Sequence, residues 1–261
     1  MNKHSKLFKL SLALLLFSFC FLAWGKGTSM QKRTIRKVSL YAVKVNLEYA
    51  DVFIQTPEDF HSPYNFSHES FQGLIRKSRP EAAINGIFYD TQNFSPIGDI
   101  YLYGQKVHAG WDIGTAFIIT LDKKAMIKDV RWYKSDNWLN TRLVIVCGPR
   151  LVEDGQIVSN IIERARATGF RDNKIFAKTR RSALGIIDES HIIFVTTINK
   201  ADVWTMAKIM RDLGCINAIS LDGGSSSGIY YQGDLLVKPR REMTNIIVIN
   251  NSNDINTTFA D

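Results

Sequence analysis

The sequence predicts an α+β fold, with a largely antiparallel or mixed β-sheet core, a few flanking helices and a single domain. Two observations predict it. Strand-length apolar runs recur in closely spaced pairs that are joined by short polar or glycine-containing turns, whereas helical periodicity appears in only three segments. In addition, no internal repeat, low-complexity tract or Pro/Gly linker divides the 261 residues. One domain spanning 26–261 is therefore expected.

The first predicted strand region runs from Ile35 to Ile54, where Tyr41, Val43 and Val45 alternate with polar positions. This period of two is typical of a half-buried strand. Later in the chain, a short turn interrupts each apolar segment, as expected for hairpins of antiparallel strands. The five segments predicted to form such strand pairs are 100–107, 116–127, 143–158, 183–197 and 229–237.

Three helices are predicted. The first covers 67–78 and stops before Pro80, and the second runs from Ser159 to Gly169. The third has Asn199 as its predicted N-cap and Gly214 as its end, with apolar residues at helical spacing between them. Its polar face is interpreted as an ordinary solvated surface.

The N-terminal segment has the pattern of a secretory signal peptide. Three lysines within the first nine residues precede the apolar run Leu10–Trp24, and small residues follow. This run is short for a membrane span, which needs about 20 residues. We therefore predict a signal peptide at 1–25 and an exported protein, periplasmic or secreted, with no stable membrane span after cleavage. The alternatives are an uncleaved anchor and lipidation of Cys20, which the bulky Phe19 disfavours.

The charge balance argues against a nucleic-acid groove. Loss of residues 1–25 lowers the formal net charge from +8 to +5, because it leaves 30 basic against 25 acidic residues. The basic residues are dispersed in short clusters, such as Lys178–Arg181 and Lys238–Arg241, and do not form a continuous basic stripe. An anionic small substrate explains this charge equally well. No nucleic-acid partner is predicted.

Metal and cofactor patterns give no positive signal. The histidines and the two cysteines outside the signal segment lack the spacing of zinc ligands, and the acidic residues Asp90, Asp99 and Asp112 lack that of a calcium loop. We therefore predict neither a metal nor a cofactor. Cys147 and Cys215 are compatible with a disulfide in an exported protein and with two buried free thiols.

The most distinctive segment covers residues 216–237, where an apolar run ends at Asp222 and continues into two glycines and three serines. A carboxylate at the end of a buried strand is held rigidly, and glycines allow a ligand close to the backbone. The amides from Gly223 to Ser226 are in addition candidates for an anion-binding nest. The alternative is a simple polar turn.

The same loop contains a G-x-S-x-G match from Gly224 to Gly228, centred on Ser226. In serine hydrolases this pattern is followed by a helix and by a later histidine. Here a strand-like segment follows, and no histidine lies beyond His191. A triad in another chain order, with His108 or His191, is the alternative that stays open.

Three further segments place a polar group beside apolar strand residues. They contain Asn85-Gly86, Arg181 and Asn245. In this order and spacing, the chain resembles the phosphodiester glycosidase family over roughly 82–249. The resemblance rests on Asn85–Phe88, Gly148-Pro149 with Leu151 and Gly155, Arg181–Gly185, the helix ending at Gly214 and Leu221–Ser226. The chain departs from the family pattern at Ile87, where a glycine is usual, and at Arg180, where a proline is common.

The resemblance implies hydrolysis of a sugar-1-phosphodiester. Asp222 is expected to act as nucleophile or as base for water, and Arg181 to hold the phosphate together with the amides of Gly223 and Gly224. Asn85 and Asn245 are expected to position sugar hydroxyls or the attacking water. The predicted catalytic residues are thus Asp222, Asn85 and Arg181, and the predicted substrate-binding residues are Gly86, Gly223, Gly224, Ser225 and Asn245.

Phosphate is a good leaving group, so the general acid of an ordinary glycosidase is dispensable in this reaction. Asp90, Asp99 and Glu163 are the candidates for a second carboxylate. The expected partner is an anionic sugar phosphate or an envelope glycopolymer. The rival interpretations are a noncatalytic carbohydrate-binding module of the cell envelope and a serine hydrolase that uses Ser226.

Overall fold

The computed structural model describes residues 27–58, 66–111, 113–130 and 138–252. The predicted signal peptide, Cys20, His61 and Asp112 lie outside these residues. Within them the fold is α+β and mostly sheet, as predicted, and the sheets are built from antiparallel strands. None of the helices in this part of the chain is long and apolar enough to span a membrane.

Strands dominate the described part of the chain, and all are short. In chain order they are β1 (Thr28–Ile35), β2 (Val38–Asn46), β3 (Ala50–Gln55), β4 (Ala82–Asn85), β5 (Ile100–Leu102), β6 (Gln105–His108), β7 (Thr115–Thr120), β8 (Ala125–Asp129), β9 (Thr141–Cys147), β10 (Arg150–Glu153), β11 (Gln156–Ile157), β12 (Ser182–Asp188), β13 (His191–Thr197), β14 (Asn217–Ser220), β15 (Ile229–Tyr231), β16 (Asp234–Val237) and β17 (Ile246–Asn251). The helices are α1 (Phe71–Ser78), α2 (Ile161–Ala167) and α3 (Val203–Asp212).

These strands form three sheets. The largest has seven strands in the order β1-β2-β13-β12-β14-β10-β11. The second has the order β16-β15-β4-β17-β3, and the third has the order β6-β5-β9-β7-β8. Strands that are far apart in the chain, such as β2 and β13, are therefore neighbours, and the chain passes several times from one sheet to another.

The strand β2 of the seven-stranded sheet is buried on both faces. Along β2, Val43 and Val45 point into a core shared with the two smaller sheets, whereas Leu40 and Ala42 pack with α3 residues in a second core. The sequence predicted a half-buried strand in this region, which was wrong. Both faces are covered because sheets pack on one side and helices on the other.

The five predicted strand pairs are confirmed as antiparallel hairpins: β5–β6, β7–β8, β10–β11, β12–β13 and β15–β16. The segment 143–158 contains the β10–β11 hairpin and one further strand, β9, which lies in the third sheet and pairs with β5 and β7. The local turn signals therefore identified the hairpins but not the sheet to which each strand belongs.

The three predicted helices exist, but their starts differ. Helix α1 begins at Phe71 because the Ser70 side chain accepts a hydrogen bond from the Gly73 N–H and caps it. Helix α2 likewise starts two residues later than predicted. Asn199 is not the cap of α3: Asp202 accepts the Thr205 N–H, while Asn199 accepts the Ser39 N–H from β2.

Candidate active site

Asp222 lies at the junction between two sheets. Strand β14 of the seven-stranded sheet ends at Ser220, and the chain then passes through Asp222 and a 3₁₀ turn (Gly224–Ser226) into β15 of the second sheet. The backbone of Asp222 is fixed on both sides, since its N–H donates to the Gly86 carbonyl at 3.2 Å and its carbonyl accepts from Asn85 at 2.7 Å. The carboxylate is therefore presented from a rigid turn.

The Asp222 side chain is buried, with a residue exposure of 6%. Its Oδ2 accepts from Arg241 Nη2 at 2.7 Å, and its Oδ1 accepts from the Gly223 N–H at 2.8 Å. Burial raises the pKa of Asp222, and the Arg241 charge together with hydrogen bonds opposes this rise. The site thus combines a desolvated carboxylate with one neighbouring cation, which is typical of a functional carboxylate.

Arg241 is the cation that the sequence interpretation missed. Its Nε donates to Ser226 Oγ, and its guanidinium carbon lies 4.7 Å from the centre of the Tyr89 ring. The Tyr89 hydroxyl in turn donates to the Glu242 carbonyl. Stacking on the ring and the bond to Ser226 fix the guanidinium plane against Asp222.

Asn85 lies beside Asp222, and both atoms of its side-chain amide already have hydrogen-bond partners within the protein. The last residue of β4, it is 1% exposed. Its Oδ1 accepts from Ser182 Oγ at 2.6 Å and from the Gly228 N–H at 3.1 Å, and its Nδ2 donates to the Asp222 carbonyl. This geometry makes Asn85 the link between β4, the start of β12 and the Asp222 turn.

Asn245 and Gly86 form a second structural contact below the turn. Asn245 is 1% exposed, and its Oδ1 accepts the Ile87 N–H at 2.9 Å. A Cβ atom on Gly86 would lie 1.7 Å from that same oxygen, so only glycine fits there. Neither residue is among those that line the cavity described below.

Arg181 is buried, with 3% exposure, and lines the cavity. Its Nε, Nη1 and Nη2 donate to the carbonyls of Ala201, Ile175 and Ala177. Burial lowers the pKa of Arg181 to about 10. Among the described residues no carboxylate forms an ion pair with Arg181, although the charge of the nearby Asp202 favours its charged form and opposes the lowering.

The two glycine amides that the sequence assigns to the phosphate already have acceptors. The Gly223 N–H donates to Asp222 Oδ1, and the Gly224 N–H donates to the Arg180 carbonyl at 2.8 Å. The turn is therefore held by its own amides. Gly223, Gly224 and Ser225 nevertheless line the cavity, so their backbone is within reach of a ligand.

A cavity of about 950 Å³ opens beside Asp222. This volume lies within the usual range of small-molecule pockets. Four aromatic side chains contribute to its wall, and one of them, Trp111, is 53% exposed. The aromatic lining residues are Phe88, Tyr89, Trp111 and Phe170, the cations are Arg171, Lys174, Arg181 and Arg241, and the acids are Asp90, Asp172 and Asp222. Much of this wall, from Gly169 to Ala177, was not identified from the sequence.

The three candidates for a second carboxylate lie in different places. Asp90 lines the cavity, and its Oδ1 accepts the Gln92 N–H. Asp99 is buried away from the cavity lining and accepts the Gly110 N–H. Glu163 is exposed on α2. The described residues contain no cluster of three His, Cys, Asp or Glu side chains that could hold a metal ion.

Ser226 is 1% exposed, and its Oγ accepts from Arg241. His108 Nε2 is bonded to the Pro96 carbonyl and His191 Nδ1 to Asp188, and neither histidine lines the cavity. The strand β15, not a helix, follows the turn. The geometry of a serine-hydrolase elbow is therefore not present around Ser226 in this part of the chain.

Both cysteines in the described residues are free and buried. Burial raises the pKa of Cys147 and of Cys215 to about 12. Of the two arrangements that the sequence left open, the structure has two buried thiols.

Comparison with known structures identifies related folds. A hypothetical protein from Synechocystis shares 16% identity with a TM-score of 0.65, over 87% of this chain and 62% of its own. The catalytic domain of zebrafish N-acetylglucosamine-1-phosphodiester alpha-N-acetylglucosaminidase, auto-inhibited by its pro-peptide, shares 19% identity with a TM-score of 0.68, over 85% of this chain and 82% of its own. A protein of Burkholderia pseudomallei K96243 shares 12% identity with a TM-score of 0.60, over 82% and 74%.

At these identities the structural matches establish the fold alone. The chain spans less than two thirds of the Synechocystis protein. No curated protein gives a significant sequence match. The phosphodiester glycosidase family model, however, matches residues 78–250, which is about two thirds of the sequence and includes Asn85, Arg181, Asp222 and Arg241. The chain belongs to the phosphodiester glycosidase family.

Proposed function

We propose that the chain is an exported hydrolase that cleaves the glycosidic bond of a sugar-1-phosphodiester, with Asp222 as nucleophile or base. The observation that carries the proposal is the buried Asp222 carboxylate at the wall of a ligand-sized cavity that also contains cationic and aromatic side chains. A sugar phosphodiester needs each of these groups: a carboxylate at the anomeric carbon, cations at the phosphate and apolar surface at the ring.

The phosphate is held by side-chain cations. Arg181 is buried against three carbonyl groups and has no carboxylate in an ion pair among the described residues. A phosphate in the cavity would give Arg181 a direct ion-pair partner in addition to the charge of the nearby Asp202. Arginine retains N–H groups beyond the three in use, and its planar fork suits an oxyanion. The backbone of Gly223 and Gly224 borders the phosphate, although their own amides are already bonded.

In the reaction, the bond between the anomeric carbon and the phosphate oxygen breaks, and its electron pair leaves with the phosphate. Positive charge develops on the sugar, and the ionised Asp222 stabilises it. Asp222 then either forms the new bond to the anomeric carbon, which water later replaces, or accepts a proton from the water that attacks directly. The products are the free sugar and a phosphomonoester. Of the three candidates for a second carboxylate named above, Asp90 is the one that lines the same cavity, and we assign it the proton transfer.

Asn85 and Asn245 act from beneath the site. Their amide groups are bonded to the Asp222 carbonyl and to the Ile87 N–H, respectively. We assign to both a positioning role: they fix the turn that carries Asp222 and the segment that leads from β4 into the cavity wall. Gly86 contributes by the space it leaves for Asn245.

The test is an assay of the purified protein without its first 25 residues against a panel of sugar-1-phosphodiesters with different sugars. Release of free sugar from at least one member, with a phosphomonoester as the second product, supports the proposal. Saturable binding without release from any member would instead favour the noncatalytic binding module. A fluorophosphonate probe separates the remaining rival, because it labels a serine hydrolase at Ser226 and leaves a glycosidase unlabelled.

Export is part of the proposal and rests on the N-terminal lysines and the apolar run Leu10–Trp24. Fractionation of cells that express the full chain tests it. Recovery of a protein that begins near Lys26 in the periplasm or medium supports a cleaved signal, whereas an intact N-terminus in the membrane fraction indicates an anchor.

A further inference from the structure

A basic groove lies next to the Asp222 turn but outside the cavity. Its volume is about 570 Å³, and its polar lining consists of three cationic residues, Arg180, Lys238 and Arg240. The described residues that line it include no acidic side chain. The remaining lining residues are Ile198, Leu236, Val237 and Pro239.

Two segments with the same pattern, Lys-x-Arg-Arg, build both this groove and the cavity wall. They are Lys178–Arg181 and Lys238–Arg241. Both are bonded to the Asp222 turn: the Arg180 carbonyl accepts the Gly224 N–H, and the Arg240 N–H donates to the Ser225 carbonyl at 2.7 Å. The segments are also bonded to each other, since Arg180 Nη1 donates to the Lys238 carbonyl at 3.2 Å.

In each Lys-x-Arg-Arg segment, the two consecutive arginines lie on different sides of the Asp222 turn. Arg181 and Arg241 line the cavity with Asp222, whereas Arg180 and Arg240 line the groove. Arg180 and Arg181 lie between the bridge residue Thr179 and β12, where successive side chains point in opposite directions, whereas Arg240 and Arg241 lie in a bend. The turn from Gly223 to Ser225 therefore has a pair of arginines on each side.

The two groove arginines, Arg180 and Arg240, have no anionic partner among the residues that line the groove, and one nitrogen of Arg180 lacks a hydrogen-bond acceptor. Arg180 Nη2 is buried and has no hydrogen-bond partner among the described residues. A buried unpaired donor costs free energy, and for a charged group the cost is larger. Burial lowers the pKa of Arg180, and so does the charge of the nearby Arg240, as expected for two neighbouring cations. An oxyanion bound in the groove would offset the repulsion between the two cations and offer Arg180 an acceptor.

We propose that this groove is a second anion-binding site, specific for a phosphate-type oxyanion held by the guanidinium groups of Arg180 and Arg240 with Lys238. The forked geometry of arginine favours phosphate over a simple halide. The anion is either a further phosphate of an extended polyanionic substrate or a separate phosphate ion. The first possibility rests on the proposed function, because it requires the substrate to cross the Asp222 turn.

Calorimetric titration of the purified protein with pyrophosphate tests the site without any turnover. The test variant carries both Arg180→Gln and Arg240→Gln. The matched control is Arg33→Gln, because Arg33 is an exposed arginine on the edge strand β1. We expect the double variant to lose one binding event or at least about tenfold in affinity, since it loses charge-assisted hydrogen bonds. The control should keep the wild-type affinity. An unchanged isotherm in the double variant, or an equal loss in Arg33→Gln, overturns the proposal.

A variant with lysine at both positions separates the effect of charge from the effect of guanidinium geometry. It keeps both cations but not the planar fork, so an intermediate affinity is expected. Full wild-type affinity in this variant would overturn the assigned role of the guanidinium groups. Circular dichroism of each variant confirms that the comparison is between folded proteins.

The source of the anion follows from kinetics with two substrates, one with a single phosphodiester and one with a second phosphate beyond it. A rise in KM of the double Gln variant that is confined to the longer substrate identifies a substrate phosphate. Unchanged KM for both, with pyrophosphate binding lost, identifies a separate anion. If the wild-type protein cleaves neither substrate, the proposed function fails, while the titration still decides the groove.

Discussion

Arg241 Nη2 lies 2.7 Å from Asp222 Oδ2, and this ion pair joins two loops that are 19 residues apart in the chain. Asp222 is desolvated, and among the described residues Arg241 is the cation that forms an ion pair with it; its charge, together with hydrogen bonds, favours the ionised form. The pair therefore contributes to both the protonation state and the direction of the proposed catalytic carboxylate.

Asp222→Asn is expected to lower kcat by at least about 10²–10⁴-fold, because an amide neither attacks the anomeric carbon nor accepts a proton from water. The measurement is sugar release by the purified variant. Asp234→Asn, on the exposed β15–β16 hairpin, is the matched control and should retain full activity. Near-normal turnover by a folded Asp222→Asn protein would contradict the assignment.

Substitution of Arg241 by Gln is expected to move the acidic limb of the pH profile of kcat/KM to higher pH. In the wild type, burial already raises the pKa of Asp222, and the Arg241 charge limits that rise. Removal of the cation raises the pKa further, so the active carboxylate is lost at a higher pH as the solution is acidified. Arg33→Gln should leave the limb in place. A limb that stays at its wild-type pH in Arg241→Gln would show that Arg241 does not control the ionisation of Asp222.

The stability of Asp222→Asn is expected to depend on pH differently from that of the wild type. A raised pKa in the folded state means that folding favours the protonated carboxyl. Its contribution to stability is present below the pKa of an ordinary aspartate, about 3.9, and is lost as the pH rises through the raised folded value. The variant lacks this loss. Urea unfolding at several pH values measures the difference between the two slopes, which should be absent if Asp222 titrates normally.

Asn85→Ala is expected to destabilise the protein by about 2–4 kcal/mol, because it leaves the buried Asp222 carbonyl and Gly228 N–H without their partner and removes one of the two hydrogen bonds of Ser182 Oγ. Urea denaturation measures this loss. Asn199→Ala, which removes one exposed hydrogen bond, should cost no more than about 1 kcal/mol.

The role of Asn85 as a positioning residue has a separate kinetic signature. If it acts through the backbone of Asp222, the alanine variant lowers kcat and leaves KM nearly unchanged, whereas a direct contact with the sugar would raise KM. A KM rise with unchanged kcat would therefore contradict the positioning role.

Both described cysteines are expected to be unreactive in the native protein. They are buried, and burial raises the pKa of Cys147 and of Cys215 to about 12, so almost no thiolate is present at neutral pH. Two thiols of the protein lacking residues 1–25 should react with a thiol reagent only after unfolding, without prior reduction. A requirement for a reductant would indicate a disulfide.

The parts of the fold that were predictable from sequence were the local ones. Hairpins such as β12–β13 combine apolar strands with a turn in one short segment, so their signal is contained there. The neighbouring strands β2 and β13 are distant in the chain, and no local pattern in either segment indicates that the two strands pair. The strand β1 was missed because most of its residues are exposed and polar, so it lacks an apolar pattern.

The site was predictable where its chemistry lies in one motif. Asp222 stands out because it ends an apolar run before two glycines. Arg241 was missed because an arginine next to a strand is usually solvated, and only the fold brings it to Asp222. The repeated Lys-x-Arg-Arg pattern was the available signal, since one of its copies contains Arg181. The contacts of Asn85 and Asn245 with the backbone depend on long-range packing that no local pattern encodes.

The hydrogen bond from Ser182 Oγ to Asn85 Oδ1 joins the first residue of β12 to the last residue of β4, and so connects the seven-stranded sheet to the second sheet directly beneath Asp222. Neither sheet alone contains the groups that fix the carboxylate. The candidate site therefore forms only where the two sheets meet, so a fragment that lacked either sheet would lack the contacts that hold the Asp222 turn.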